Sequence, residues 1–130
     1  MIPSNLSGRK VLVVEDEVLI GLVLEDVLDM LGCVLAGNAT TLEDGRRLAN
    51  EVAFDVAILD VNLGSDPVFP LADDILARGI PVIFATGALA DTLPDRFRGC
   101  PVLEKPYAFP GVEAALQRAL PVSSAVSAAR

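Results

Sequence analysis

Four short apolar runs, each ending on a residue that can do chemistry, constrain this chain more than anything else in it. Val11-Leu12-Val13-Val14 leads into Glu15-Asp16, and Val56-Ala57-Ile58-Leu59 leads into Asp60. Pro81-Val82-Ile83-Phe84-Ala85 leads into Thr86, and Val102-Leu103 runs through Glu104 to Lys105-Pro106. Runs this short, continuously apolar and rich in Val and Ile, read as strands buried on both faces, as in a parallel sheet under helices. Open α/β sheets bind ligands beyond the carboxyl ends of their strands. Three carboxylates, a hydroxyl and an ammonium are therefore expected to converge at one edge of the protein.

The segments between the runs carry helical signals. From Glu17 to Leu31, the residues Ile20, Val23, Leu24, Val27, Leu28 and Leu31 recur at helical spacing, and Gly32 reads as the stop. Val34-Leu35-Ala36 reads as a second strand. Thr40-x-x-Glu43 reads as a capping box opening a helix with Leu42, Leu48, Ala49 and Val52 on its core side. Gly64 to Pro67 reads as a loop, and Pro70 suits the first turn of a third helix ending near Arg78-Gly79. Pro94 predicts that any helix over Ala88–Arg98 is short or broken. A last helix is expected over Pro110–Leu120. Residues 1–8 read as a loose lead-in and 121–130 as a flexible tail, around a core of about 8–120. Strand–helix alternation of this kind implies right-handed crossovers and a parallel sheet covered on both faces. Periodicity alone leaves the strand order open.

Composition narrows the function. A length of 130 residues fits one domain, and 52% apolar content excludes general disorder. No apolar stretch approaches a membrane span, and the first eight residues lack the regions of a signal peptide, so a cytoplasmic protein with no membrane partner is expected. A net charge of −8 without a basic stripe argues against direct nucleic-acid binding. The absence of histidine excludes His-based triads, His metal sites and a phosphohistidine carrier. Cys33 and Cys100 have no CxxC spacing and read as small buried residues near strand starts. Lysine occurs only at Lys10 and Lys105 against eight arginines, so a lysine just past a strand stands out.

Glu15, Asp16 and Asp60 placed together would repel one another, and a divalent cation would relieve the repulsion. Oxygen-only ligands point to Mg²⁺ or Mn²⁺ rather than zinc. Mg²⁺ takes one or two carboxylates plus phosphate oxygens, which suits phosphoryl chemistry. Lys105, the Thr86 hydroxyl and backbone N–H groups would then serve the oxygens of a phosphoryl group. A carboxylate can be the nucleophile, and Asp60, alone at the end of a central-looking strand, is assigned that role. Taken singly, Glu15 and Asp16 could equally be charges at a helix N-terminus, Asp60 a loop cap and Thr86 an ordinary turn hydroxyl. Phe84 and Tyr107 read as packing residues, and Val68 and Phe69 as an exposed contact.

These residues closely resemble the receiver domain of two-component response regulators. Val-Val-Glu-Asp-Glu at 13–17 is similar to the family's acidic pair, and Ile-Leu-Asp at 58–60 to its phosphoacceptor. Phe-Ala-Thr-Gly at 84–87 is similar to its switch threonine, and Glu-Lys-Pro at 104–106 to its lysine and proline. The resemblance implies a flavodoxin-like α/β fold with a doubly wound five-stranded parallel sheet in the order 2-1-3-4-5. It implies Mg²⁺ held by Glu15, Asp16, Asp60 and the backbone carbonyl of Asn62, with phosphorylation of Asp60. Thr86 would move toward the phosphoryl group, and Lys105 would pair with it and precede a cis proline. The implied partners are a sensor histidine kinase or a histidine phosphotransfer protein, and a downstream protein. Phe-Ala-Thr-Gly also resembles a subgroup of small alphaproteobacterial regulators, implying a bacterial source. Leu63-Gly64 stands where the family often has Met-Pro, and Val102 where it often has an aromatic switch residue. With Val102 there, output is expected to rest on residues 87–99. The alternatives are an aspartyl-nucleophile phosphatase resembling the haloacid dehalogenases, or a receiver-like interaction module that is not phosphorylated. Asn62 in place of the phosphatases' second Asp argues against the first, and Asp60, Thr86 and Lys105 together argue against the second.

Overall fold

The computed structural model describes residues 5–63, 66–87 and 93–120. The elements run β1 (Lys10–Val14), α1 (Val18–Met30), β2 (Val34–Ala39), α2 (Leu42–Glu51), β3 (Val56–Asp60), β4 (Asn62–Leu63), β5 (Asp66–Pro67), α3 (Phe69–Ala77), β6 (Val82–Thr86), a 3-10 turn (Asp95–Phe97), β7 (Val102–Glu104) and α4 (Phe109–Ala119). Five strands form one sheet in the order β2-β1-β3-β6-β7, with every pair parallel. Counted within that sheet alone, in chain order, this is 2-1-3-4-5. The architecture is that of a flavodoxin-like α/β protein. Among the described residues, no helix is long and apolar enough to cross a membrane.

Side chains alternate across the sheet, so each apolar run feeds two cores. Val11, Val13, Val56, Ile58, Ile83 and Leu103 face α1 and α4, where Leu24, Leu28, Val112 and Leu116 meet them. Leu12, Val14, Ala57, Leu59, Val82 and Phe84 face α2 and α3, where Ala49, Leu71 and Ile75 meet them. All five residues of β3 and of β6 are buried, which explains why these runs show no polar alternation. Gly45 lets α2 approach β1 closely: a Cβ there would lie 3.0 Å from Val14 Cγ2. Gly32 ends α1 at φ +82°, a conformation that side chains with a Cβ rarely adopt.

Several local expectations are corrected. The lead-in is not loose at its described end, because Asn5 and Leu6 are buried and Asn5 Nδ2 donates to the Leu120 carbonyl at 2.6 Å. Residues 1–4 and 121–130 lie outside the described residues. The cap of α2 is Thr41, whose hydroxyl accepts from the Asp44 N–H at 3.1 Å, one residue later than the capping box read at Thr40. Asn62–Leu63 pairs antiparallel with Asp66–Pro67 as a small hairpin, where a loop was expected. Val68 is fully buried and Phe69 half-buried, because Phe69 packs on Phe84 and Phe97 at ring-centroid distances of 6.1 and 5.5 Å. On α1, Val23 is exposed, together with Val18, Leu19 and Leu22. Of the segment Ala88–Arg98, residues 88–92 lie outside the described residues, and the remainder holds one 3-10 turn behind Pro94. Cys33 and Cys100 are free and precede β2 and β7, the two outer strands of the sheet; Cys33 is buried as expected, but Cys100 is only half-buried.

Candidate functional site at the carboxyl edge of the sheet

The strand ends bring the sequence-predicted residues together. Glu15 follows β1, its N–H donating to the Ala39 carbonyl at 2.9 Å so that strand pairing extends to it. Asp60 and Thr86 are the last residues of β3 and β6, and Lys105 follows β7. Glu15, Asp60 and Thr86 are each only 1% exposed, while Asp16 is exposed. One carboxylate oxygen from each of Glu15, Asp16 and Asp60 lies within 4.8 Å of the others. Asn62 sits at the start of the small hairpin, and its N–H donates to Asp60 Oδ1 at 2.9 Å.

Lys105 is the hub. Its Nζ donates to Asp60 Oδ2 at 2.9 Å, to the two oxygens of Glu15 at 3.3 and 3.2 Å, and to Glu17 at 3.4 Å. Its backbone N–H donates to the Thr86 carbonyl at 3.0 Å, tying the ends of β6 and β7 together. The Lys105–Pro106 bond is cis, as the resemblance implied. Glu15 also accepts from the Glu17 N–H at 3.1 Å, so it supplies an acceptor at the start of α1, where the cap residue's own side chain supplies none.

The electrostatics favour an added cation. Burial pushes the Asp60 carboxyl up to about 7, and the neighbouring Glu15 adds to this against the opposing pull of Lys105 and the Asn62 N–H. Burial works to lower the Lys105 ammonium, but Asp60 and Glu15 outweigh it and raise it overall. Lys105 therefore stays charged, yet its one ammonium is shared by Glu15, Glu17 and Asp60, with Asp16 beside Glu15 and Asp60 in the cluster. An all-oxygen donor set with a deficit of positive charge fits a hard divalent cation such as Mg²⁺.

Two participants escaped the sequence reading. Tyr107, read as packing, places its hydroxyl 2.8 Å from Glu15 Oε1, and burial and the Glu15 charge raise its phenol well above the usual range. Glu17 reaches Lys105 from the rim. Only a hydroxyl on an otherwise apolar loop position hinted at the first, and a third acid after Glu15-Asp16 at the second. Val102 is half-buried on β7 and borders an open groove of about 410 Å³ with Leu93, Pro94, Phe97 and Cys100.

No protein-family model matches the chain, and no curated protein matches it. Solved structures do. The chain is 41% identical to SdrG from Sphingomonas melonis Fr1, covering 91% of this chain and 99% of that one at a TM-score of 0.78. The BeF3-activated conformation of SdrG, from Pseudomonas melonis Fr1, matches at 41% identity, with 88% and 98% covered and a TM-score of 0.76. The receiver domain of the Erythrobacter litoralis PhyR response regulator matches at 28% identity, with 88% and 91% covered and a TM-score of 0.74. Identity of this extent over nearly the whole of both chains, on a shared fold whose strand ends gather the acidic pair, the aspartate, the threonine and the lysine, means that this chain belongs to the receiver-domain family of two-component response regulators.

Proposed function

We propose that the chain is a phosphoryl-accepting switch in which Asp60 is the acceptor. The observation that carries this is the setting of Asp60: a buried carboxylate at the end of a central strand, hydrogen-bonded to Lys105 and within an acidic cluster. The donor is a phosphohistidine on a sensor kinase or phosphotransfer protein in the cytoplasm. An Asp60 oxygen forms the new O–P bond as the N–P bond breaks, and the donor imidazole keeps the electron pair. The Lys105 ammonium and the Thr86 hydroxyl take phosphoryl oxygens, and Lys105 exchanges its carboxylate contacts for them. Glu15, Asp16, Asp60 and the Asn62 backbone carbonyl would hold Mg²⁺, which supplies positive charge to the acidic cluster and the phosphoryl oxygens. The acyl phosphate then alters a protein-binding surface read by a downstream partner. The chemistry is the protein's own modification rather than turnover of an external substrate.

Intact-mass analysis after treatment with a small phosphodonor tests this. One labile phosphoryl group is expected on the parent and none on Asp60→Asn. A label retained by Asp60→Asn moves the acceptor elsewhere.

A further inference from the structure

Tyr107 is the chain's only tyrosine, and the chain has no tryptophan. It lies two residues past Lys105, with its ring in the core shared by α1 and α4 and only 7% exposed. Its hydroxyl donates to Glu15 Oε1 at 2.8 Å, shorter than any other hydrogen bond described at that carboxylate. The other donors to Glu15 among the described residues include the Lys105 ammonium at 3.2 and 3.3 Å and the Glu17 N–H at 3.1 Å.

These donors differ in how long they can stay. The Lys105 ammonium is shared with Asp60 and Glu17, and it is the group that must turn to a phosphoryl oxygen. The phenol of Tyr107 is held by its own packed ring. A carboxylate as buried as Glu15 needs donors that persist when Lys105 changes partners, or its position and its burial both become costly.

We propose that Tyr107 is a positioning residue of the site: its hydroxyl holds the Glu15 carboxylate in its ligating orientation while Lys105 exchanges carboxylates for phosphoryl oxygens. This role rests on the reading of the site as a cation and phosphoryl centre given above. Donors behind a metal ligand fix its orientation, and their removal typically lowers ion affinity about 10–100-fold.

Calorimetric titration of Mg²⁺ into the parent, Tyr107→Phe and Asp16→Asn separates the two ideas. Tyr107→Phe keeps the ring, so its fold is expected to remain cooperative while its Mg²⁺ affinity falls about 10–100-fold. If the parent binds no Mg²⁺, the cation reading itself fails and the role of Tyr107 fails with it. If the parent binds, Asp16→Asn binds weakly and Tyr107→Phe matches the parent, the cation reading stands and Tyr107 is packing alone. A second measurement needs no change at Tyr107. A carboxylate acceptor quenches phenol emission, so Glu15→Gln is expected to brighten the lone tyrosine of the metal-free protein. Equal emission from parent and Glu15→Gln would mean that the hydrogen bond is absent in solution, and would overturn the proposal.

Discussion

At the amino ends of the strands, polar side chains find partners within the fold, although the buried Asn5 Oδ1 accepts no hydrogen bond among the described residues. Asp55 accepts from the Lys10 N–H at 2.8 Å, Arg9 donates to the Asn5 carbonyl at 2.9 Å, and Asn5 donates to the Leu120 carbonyl. The open cleft there, about 690 Å³, is bordered by Arg9, Asp55, Pro81 and Arg118, a mixed and mostly basic rim. At the carboxyl ends, the carboxylates of Glu15, Glu17 and Asp60 share the one ammonium of Lys105, Asp16 lies beside Glu15 and Asp60, and Glu15 and Asp60 are buried. The same sheet thus holds itself together at one edge and stores unresolved charge at the other. Charge arranged against stability is expected where a ligand will later supply the missing partner.

The largest effect that would break this contrast is loss of phosphorylation in excess chelator. If the carboxyl edge needs a divalent cation, phosphorylation of Asp60 by a small phosphodonor falls to background when the cation is removed. Undiminished labelling would mean that Lys105 alone suffices. Next, Leu6→Ala at the amino edge should cost about 2–5 kcal/mol in denaturant unfolding, since it empties a fully buried site. Phosphorylation should persist wherever the variant is folded. A variant of normal stability would restore the loose lead-in.

The third effect concerns pH. In the folded metal-free protein Asp60 holds its proton up to about pH 7, whereas in the unfolded chain it loses it near 3.8. Between those values the folded state binds more protons, so stability falls as pH rises and levels off above about 7. A loss on the order of 1–3 kcal/mol between pH 5 and pH 8 is expected without divalent ions, reduced in Asp60→Asn. Equal slopes in parent and variant would place the strain at another group. The smallest effect is on cation affinity in Lys105→Ala. The ammonium competes with the ion for carboxylates, so Mg²⁺ affinity is retained while the phosphorylation-linked conformational change is lost. Loss of both together would make Lys105 part of the cation site rather than a phosphoryl partner.

What the sequence disclosed follows the same division. Buried parallel strands announce themselves as unbroken apolar runs, so Glu15, Asp60, Thr86 and Lys105 could be placed at one edge from the run ends alone. Asn5 and Leu6 carried no such signal, because a segment of a few residues has no periodicity to read. Thr40 and Thr41 are both capping types, and only the hydroxyl contact to Asp44 separates them. Tyr107 was hidden for a different reason. Its ring obeys the core pattern, and its hydroxyl meets a residue 92 positions away in the chain, a pairing that exists only after the sheet has formed.

The backbone bond from Lys105 to Thr86 has a consequence for what the switch can say. On the proposed reading these two residues sense the same phosphoryl group, and their main chains are pinned to each other at the point of sensing. A pull on either end is a pull on both. A main-chain displacement of one residue without the other would have to break this hydrogen bond. On that reading the main chains of the pair move as a single contact rather than two dials, and the signal they would pass on is one bit.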